Sequence, residues 1–250
     1  MTRQNAITFS AIASKNECYK VGAKMPKGSP SGIIVHSPGA ANPNLWRYVD
    51  APEICGENPY GTHWNVFNPI GANGKPTQIC CHAFIGKDKD GKVRAAKLLP
   101  WDMCCWNCAS GAKGSYNWDP SYIQFEICED DKTNKEYATQ AYNEAVRLTA
   151  WLCEKYGINP YGTAKCGGKD VPTILCHWDS YELGLGSGHD DIYDWFPKII
   201  GKDMSNVRKD VADLMKEQPT HDPGWVQNGD KWYYYDQNGQ MVTSDWVKYK

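Results

Sequence analysis

The chain has 250 residues, with 27 lysines and arginines against 29 aspartates and glutamates, and its formal net charge is -2. This balance gives no reason to expect a nucleic-acid partner, and no apolar run is long enough to span a bilayer. The 11 tryptophans and 15 tyrosines are abundant, which is typical of carbohydrate-binding surfaces and equally of an aromatic core.

The first twenty residues, MTRQNAITFSAIASKNECYK, contain no apolar segment of the signal-peptide type. The sequence therefore predicts synthesis and folding in a cytoplasm. Most of the 11 cysteines are then expected to be reduced, buried thiols. Cys105 and Cys108 have C-x-x-C spacing near Cys80, Cys81 and Cys104, but without a second C-x-x-C pair this pattern only weakly indicates a structural zinc.

The predicted strands of the first half carry two polar residues in apolar surroundings. SGIIVHSPGA (31–40) predicts a buried strand that ends at His36 before a turn. QICCHAFIGKDKDGKV (78–93) predicts two strands joined by a Lys-Asp-Gly turn. YIQFEICED (122–130) predicts a further strand, with Glu126 inside its apolar run.

The second half adds helices to this pattern. Apolar residues recur at helical spacing over residues 134–157, and a glycine ends the segment. VPTILCH (171–177) predicts a strand ending at His177, and MSNVRKDVADLMKE (204–217) predicts a helix with Ser205 as its N-cap. Strands that alternate with helices predict an α/β domain with a mixed central sheet.

The composition changes beyond the last helix. EQPTHDPG contains two prolines and a glycine, which is typical of a linker. The following segment is rich in aromatic residues, and its two Asn-Gly pairs predict tight hairpin turns. The sequence thus predicts a domain of residues 1–216, a linker of residues 217–223 and a small β-hairpin unit of residues 224–250.

The segment 172–197 concentrates side chains of the metal-ligand type. A catalytic zinc needs three protein ligands and an open position. His36, His177 and an aspartate of this segment would make a His-His-Asp set, although either histidine is also compatible with a purely structural role. Spacing alone leaves four candidates for the third ligand: Asp179, Asp190, Asp191 and Asp194.

Several separated segments together resemble one known family. IIVHSPGAANPNLWRYV, HAFIGKDKDG, LLPWDM, IQFEICED and residues 172–197 follow one another in the order found in zinc-dependent, type-2 N-acetylmuramoyl-L-alanine amidases. This family is similar to peptidoglycan-recognition proteins, and the variety found in phage endolysins is the most similar. The resemblance covers residues 5–215 and implies a mixed sheet flanked by helices, bound Zn2+ and peptidoglycan as the substrate.

The resemblance also implies the ligand set. His36 matches the first histidine of the family and His177 the second. The family pattern of a basic residue, a spacer and a ligand matches His189, Asp190 and Asp191, so Asp191 is the expected third ligand, with Asp190 as the nearest alternative.

Two catalytic roles follow from the same resemblance. Glu126 matches the carboxylate that takes a proton from the attacking water, the alternative being a glutamate paired with a lysine. His189 stands where the family often has Lys and is expected to donate a hydrogen bond to the oxyanion, the alternative being a loop histidine without a role. His82 replaces a tyrosine that some members use, and it would either orient water or pack. His63 is expected either to shape the cleft rim or to be structural, without a role in catalysis.

The tail, GWVQNGDKWYYYDQNGQMVTSDWV, resembles the choline-binding repeat of cell-wall-binding proteins. The expected wall-binding residues are Trp225, Trp232, Tyr234 and Trp246, because aromatic side chains attract a quaternary ammonium group through cation–π contacts. Such repeats usually act in consecutive copies, and this chain has about one. Choline, another wall polymer, homodimerisation through the tail and a purely stabilising role therefore all remain open.

The function that follows is hydrolysis of the amide between N-acetylmuramic acid and L-alanine in peptidoglycan. The resemblance implies an endolysin that is made in the bacterial cytoplasm without a signal peptide and acts at the cell wall after release. Two alternatives belong to other classes of protein: a non-catalytic peptidoglycan-binding module, and a zinc peptidase that cuts within the stem peptide. Neither a nucleic-acid nor a membrane partner is expected.

Overall fold

The computed structural model describes residues 9–61, 63, 65–77, 79–108, 121–166, 168–216, 224–228 and 231–235. The strands in these ranges are β1 Phe9–Ser10, β2 Gly32–His36, β3 Ala83–Lys87, β4 Val93–Lys97, β5 Tyr122–Ile127, β6 Thr163–Cys166, β7 Lys169–Pro172, β8 Ile174–Cys176, β9 Gly224–Asn228 and β10 Lys231–Tyr235. The α-helices are α1 Glu17–Val21, α2 Pro52–Cys55, α3 Lys135–Tyr156, α4 His177–Glu182, α5 Phe196–Ile200 and α6 Met204–Lys216.

A six-stranded mixed sheet forms the centre of the fold, in the order β1-β4-β3-β5-β2-β8. Strands β3 and β4 are antiparallel, and the other neighbouring pairs are parallel. Two separate antiparallel hairpins, β6–β7 and β9–β10, complete the strands. The predicted α/β class with a mixed sheet and a small carboxyl-terminal hairpin is confirmed.

Helices α3 and α6 cover one face of the central sheet. Helix α3 begins after Asn134, whose side chain accepts a hydrogen bond from the backbone N–H of Tyr137 at 3.0 Å, and ends at Gly157 in the left-handed conformation. The buried side chains of α3 and α6 pack against alternate strand residues such as Val35 and Phe125. Because side chains alternate along a strand, the intervening residues point to the opposite face.

The segment predicted as one strand over residues 171–177 is divided in the structure. Strand β7 ends at Pro172 and belongs to the β6–β7 hairpin, whereas β8 joins the central sheet beside β2. Thr173 lies between them, and its hydroxyl donates to the carbonyl oxygen of Asn159 at 2.5 Å. His177 is therefore the first residue of α4, directly after β8, rather than the last residue of a strand.

The predicted N-cap of the last helix is also wrong. Helix α6 begins at Met204, so Ser205 lies inside its first turn. The Asp203 carboxylate accepts hydrogen bonds from the backbone N–H groups of Ser205 and Asn206 at 2.8 and 3.1 Å. A carboxylate at this position satisfies N–H groups that have no partner within the helix and also complements the helix dipole.

The cysteines are mostly buried thiols, as predicted. Cys18 and Cys80 form a disulfide with a Cα–Cα distance of 6.6 Å, and the other nine cysteines are buried and not part of a disulfide. Within the described residues, the metal-type cluster that the fold assembles contains no cysteine. The weakly indicated cysteine zinc site therefore finds no geometric support there.

Strands β9 and β10 pair in register from Gly224 with Tyr235 to Asn228 with Lys231, as expected for the predicted hairpin. The predicted linker, residues 217–223, and Trp246 lie outside the described residues. None of the helices within the described ranges combines the length and the apolar character needed to cross a bilayer.

Candidate active site

The structure brings His36, His177 and Asp191 together at one end of the central sheet. His36 is the last residue of β2, and His177 directly follows the neighbouring parallel strand β8. Asp191 opens a 3-10 turn, Asp191–Asp194, that reaches this edge from the following loop. One ligand atom from each residue lies within 4.8 Å of the others, and all three side chains are buried.

Hydrogen bonds orient both imidazole rings. The Nε2–H of His36 donates to Oε1 of Gln124 at 3.0 Å, and its Nδ1 lies 3.4 Å from Oδ2 of Asp191. Nε2 of His177 lies 3.1 Å from the hydroxyl of Ser187. Each ring can therefore hold its proton on Nε2 and present the Nδ1 lone pair to a shared point, as a metal ligand must.

Asp191 is also held from behind. Its Oδ2 accepts a hydrogen bond of 2.8 Å from the backbone N–H of His177, so one contact couples the loop to the start of α4. Its backbone has φ of 47°, the left-handed conformation that aspartate adopts more readily than most residues. The sequence alone could not select this aspartate, but the fold places it inside the cluster.

The three competing aspartates lie elsewhere. Asp190 is exposed in the cleft wall. Asp194 forms an ion pair with Lys132 at 2.5 Å. Asp179 accepts a hydrogen bond from the Tyr193 hydroxyl at 3.2 Å. The geometry therefore favours Asp191 as the third ligand.

Separate substitutions of Asp191 and of its neighbour Asp190 test that choice. Asp191→Asn is expected to lose stoichiometric zinc, because an amide is a poorer ligand than a carboxylate while the shape and the left-handed backbone are retained. Asp190→Asn is the matched control and is expected to keep one zinc per chain. Metal content after dialysis measures both, and the opposite pattern would assign the ligand to Asp190.

Burial and mutual contacts set the charges of the cluster. Burial lowers the pKa of His177 to about 3, with further lowering from His36 and His189, so His177 is neutral at pH 7. Burial alone would lower the pKa of His36, but the adjacent Asp191 carboxylate reverses the direction and raises it. Burial raises the pKa of Asp191, against the opposing effect of His36. A bound cation would favour the ionised carboxylate of Asp191 and so oppose the rise in its pKa.

Glu126 lies beside the cluster on β5, in register with His36. Its Oε1 accepts a 2.7 Å hydrogen bond from Nδ2 of Asn107, whereas its Oε2 is buried and has no partner among the described residues. Burial raises the pKa of Glu126 to about 7; Asp191 adds to the rise, and His36 and Asn107 oppose it. The alternative of a glutamate paired with a lysine is not observed in the described part of the chain.

His189 lies at the mouth of the cleft. Its ring stacks on that of His177 with 4.5 Å between centroids, and its Nδ1 lies 3.0 Å from the Ser187 hydroxyl. Ser187 thus joins the two histidines through one hydroxyl group. Because His189 is exposed and lines the cleft, a substrate in the cleft can reach its ring.

The other two histidines have different environments. His82 is fully buried and packs on Trp101. Its Nε2–H donates to the carbonyl oxygen of Met103 at 2.9 Å, and its Nδ1 accepts from the backbone N–H of Gln124 at 3.1 Å, which supports packing over water orientation. His63 lines the cleft, as expected, and burial lowers its pKa to about 4.

The cleft that holds these groups has a volume of about 610 Å³. Its lining also includes residues that the sequence did not single out, among them Tyr48, Asn107 and Lys132. Gln124, which accepts the hydrogen bond from His36, was also not singled out. It could have been, because it is a polar residue in the apolar run of β5, two positions before Glu126 and on the same face of the strand. Asn107 and Tyr48 come from irregular segments, and no periodic pattern points to them.

The cleft combines a buried His-His-Asp set with a carboxylate that has one free oxygen, at the carboxyl ends of neighbouring parallel strands. This is the arrangement that a hydrolase with a single catalytic metal requires. The sequence pattern of N-acetylmuramoyl-L-alanine amidase matches residues 26–195, more than half of the chain and all the clustered residues. The chain therefore belongs to the N-acetylmuramoyl-L-alanine amidase family.

Solved structures extend this comparison to the fold. A mutant of PlyL has a TM-score of 0.50 and 16% sequence identity, covering 82% of this chain and 97% of that chain. The hydrolase AmiA of Staphylococcus aureus, in complex with its ligand, has a TM-score of 0.49 and 18% identity over 75% of this chain and 74% of that chain. At such identities the likeness to PlyL shows a shared fold alone.

One curated protein also matches over a short stretch. Human taste receptor type 1 member 3 is 29% identical over 79 residues, which are 32% of this chain and 9% of the receptor. The chain thus spans less than a tenth of that relative's length.

Proposed function

We propose that this amidase uses Zn2+ to hydrolyse the amide that joins the lactyl group of N-acetylmuramic acid to L-alanine in peptidoglycan. The observation that carries the proposal is the buried, unpartnered Oε2 of Glu126 beside the His36, His177 and Asp191 cluster. A buried carboxylate oxygen without a partner is costly unless a ligand or water completes it. It is therefore a good candidate for the group that receives a proton.

The donor set fits a zinc ion. His36 and His177 would bind through Nδ1 and Asp191 through Oδ2, which leaves a fourth position open, as in catalytic zinc sites. When bound, zinc would supply Lewis-acid chemistry by lowering the pKa of water and polarising a carbonyl group.

The side chains of the cleft would perform the proton transfers. Oε2 of Glu126 takes a proton from the water whose oxygen forms a bond with the carbonyl carbon. As the carbon–nitrogen bond breaks, the same proton passes to the nitrogen of L-alanine, which leaves as an amine. His189 donates a hydrogen bond to the carbonyl oxygen while it carries negative charge.

Digestion of purified peptidoglycan followed by mass spectrometry tests this proposal against its alternatives. The amidase releases intact stem peptides that begin with a free L-alanine amine. A zinc peptidase would release shortened peptides, and a binding module would sediment with the wall without releasing any. Chelation is expected to stop the release and added zinc to restore it; undiminished activity after metal removal would contradict the zinc assignment.

We further propose that the protein is an endolysin. The resemblance of residues 5–215 to phage enzymes supports this role. Expression in a bacterial cytoplasm is then expected to leave cells intact until the inner membrane is permeabilised, and to cause lysis within minutes afterwards. Cells that lyse without permeabilisation would contradict it.

The hairpin is proposed to contribute to wall binding. Trp225 and Tyr234 are paired across β9 and β10, with 5.3 Å between ring centroids, and Trp232 is 59% exposed. By strand alternation these three rings share one face, which supports an aromatic binding surface for choline or another wall polymer. Trp232→Ala is expected to weaken sedimentation with walls, and free choline is expected to compete only if choline is the ligand.

A further inference from the structure

Unpaired polar atoms are concentrated in the cleft. Seven buried side-chain nitrogen or oxygen atoms in the described part of the chain have no hydrogen-bond partner. Three of them, on Arg47, Tyr48 and Glu126, belong to residues that line the cleft. Buried polar groups are nearly always paired in folded proteins, so this concentration indicates groups that are completed by a bound molecule.

The ring that carries the Tyr48 hydroxyl is held in place by its neighbours. Tyr48 follows the 3-10 turn Leu45–Arg47 and is only 1% exposed. Its ring stacks on Phe84 with 4.7 Å between centroids, and it meets the edge of His63 at 4.8 Å. The two contacts fix the plane of the ring, so the hydroxyl is positioned before any substrate binds, which is what an electrostatic catalytic group requires.

Charge separates the role of Tyr48 from that of Glu126. Burial raises the pKa of Tyr48 above its ordinary range, and the carboxylate of Glu126 is close enough to add to the rise. The hydroxyl therefore keeps its proton and acts as a donor, whereas an ionised carboxylate only accepts. Within one cleft, the acceptor suits the proton of a water molecule and the donor suits an oxygen that gains negative charge.

We propose that Tyr48 is a further catalytic residue, whose hydroxyl donates a hydrogen bond to the carbonyl oxygen of the amide that is cleaved. This inference rests on the proposed function. It gives the carbonyl oxygen two donors from different parts of the fold. Tyr48 directly follows the 3-10 turn Leu45–Arg47, and His189 lies in the loop before the 3-10 turn Asp191–Asp194. It also explains why a hydroxyl remains unpaired in a packed core.

The test is Tyr48→Phe, with Tyr137→Phe as the matched control. Both tyrosines are 1% exposed, but the Tyr137 hydroxyl donates to the carbonyl oxygen of Cys128 at 2.6 Å and lies outside the cleft lining. Kinetics on a soluble muramoyl-peptide, melting temperature and zinc content are measured for each variant.

Tyr48→Phe is expected to lower kcat roughly 100-fold, as for loss of one oxyanion donor, with KM and zinc content near the wild-type values. Its melting temperature is expected to stay level or rise, because the substitution removes a buried polar atom that has no partner. Tyr137→Phe is expected to do the reverse: kcat near wild type and a melting temperature lower by roughly 2–4 °C.

Three results would overturn the inference. A Tyr48→Phe variant with wild-type kcat removes the catalytic role, and one that loses kcat and melting temperature together indicates a structural role. A wild-type protein that releases no stem peptide from peptidoglycan overturns the proposed function itself and this inference with it. The first two results leave the proposed function intact.

Discussion

Glu126→Gln is expected to lower kcat about 1,000-fold, in the range found when a general base is lost. Glutamine keeps the size of the side chain and can still accept the hydrogen bond from Asn107, but it cannot take a proton from water. Zinc content is expected to remain at one per chain, because Glu126 is outside the ligand set. Initial rates on a soluble muramoyl-peptide measure the effect.

Glu144→Gln is a suitable control. Glu144 is also a buried glutamate, and it pairs with Arg147 at 2.5 Å on α3. This variant is expected to retain wild-type kcat. If Glu126→Gln were equally active, the assignment of the base would be wrong.

The raised pKa of Glu126 gives the same substitution an effect on stability. In the metal-free folded protein the carboxyl group of Glu126 keeps its proton until the pH reaches its pKa of about 7. In the unfolded chain it releases the proton near its ordinary pKa of about 4.3. The folded state therefore binds more protons between these values, and the free energy of unfolding falls as pH rises through this window. At pH 8 the metal-free Glu126→Gln variant is expected to be more stable than wild type, by roughly 3 kcal/mol or less.

Activity has the opposite dependence on pH. Glu126 must be ionised to act as the base, so kcat/KM is expected to rise as the pH increases toward 7 and to level off above it. This rise is the acid limb of the pH profile. A bound cation favours the carboxylate and would move the limb to lower pH. A wild-type profile that lacks an acid limb would contradict the assigned role.

His36→Ala is expected to abolish both zinc binding and hydrolysis. The substitution removes one of three ligands and leaves the Asp191 carboxylate without the ring 3.4 Å away. Because a ligand stabilises only the state that binds it, added zinc is expected to raise the melting temperature of wild type and leave that of His36→Ala unchanged.

His63→Gln controls for the loss of a cleft histidine. His63 lines the same cleft but lies outside the ligand cluster, so this variant is expected to bind zinc and to show the zinc-dependent rise in melting temperature. Stoichiometric zinc in His36→Ala would remove His36 from the site.

The sequence predicted the main elements of the fold because burial leaves a strong pattern. The apolar runs that became β2 and β5 are buried along their whole length, and α3 carries its apolar face and its terminal glycine in the expected places. The junction at Thr173 was missed because an apolar run does not reveal where the chain leaves one sheet for another.

The candidate site was predictable only in part. A resemblance to a family supplied His36, His177, Asp191 and Glu126, and the fold gathers them, although their roles stay predictions. Asn107 could not be foreseen, because its contact with Glu126 depends on a loop whose path no local pattern records. Tyr48 had the same difficulty, since nothing in its neighbourhood distinguishes an unpaired hydroxyl from a core aromatic ring.

The left-handed backbone at Asp191 limits which residues can replace this aspartate. Aspartate tolerates a φ of 47° by local hydrogen bonding, whereas the thiol of a cysteine is only a weak hydrogen-bonding group. A direct exchange to Cys here would replace the metal ligand and strain the turn at once. A cysteine at this position would therefore need a second change, in the loop that presents the side chain.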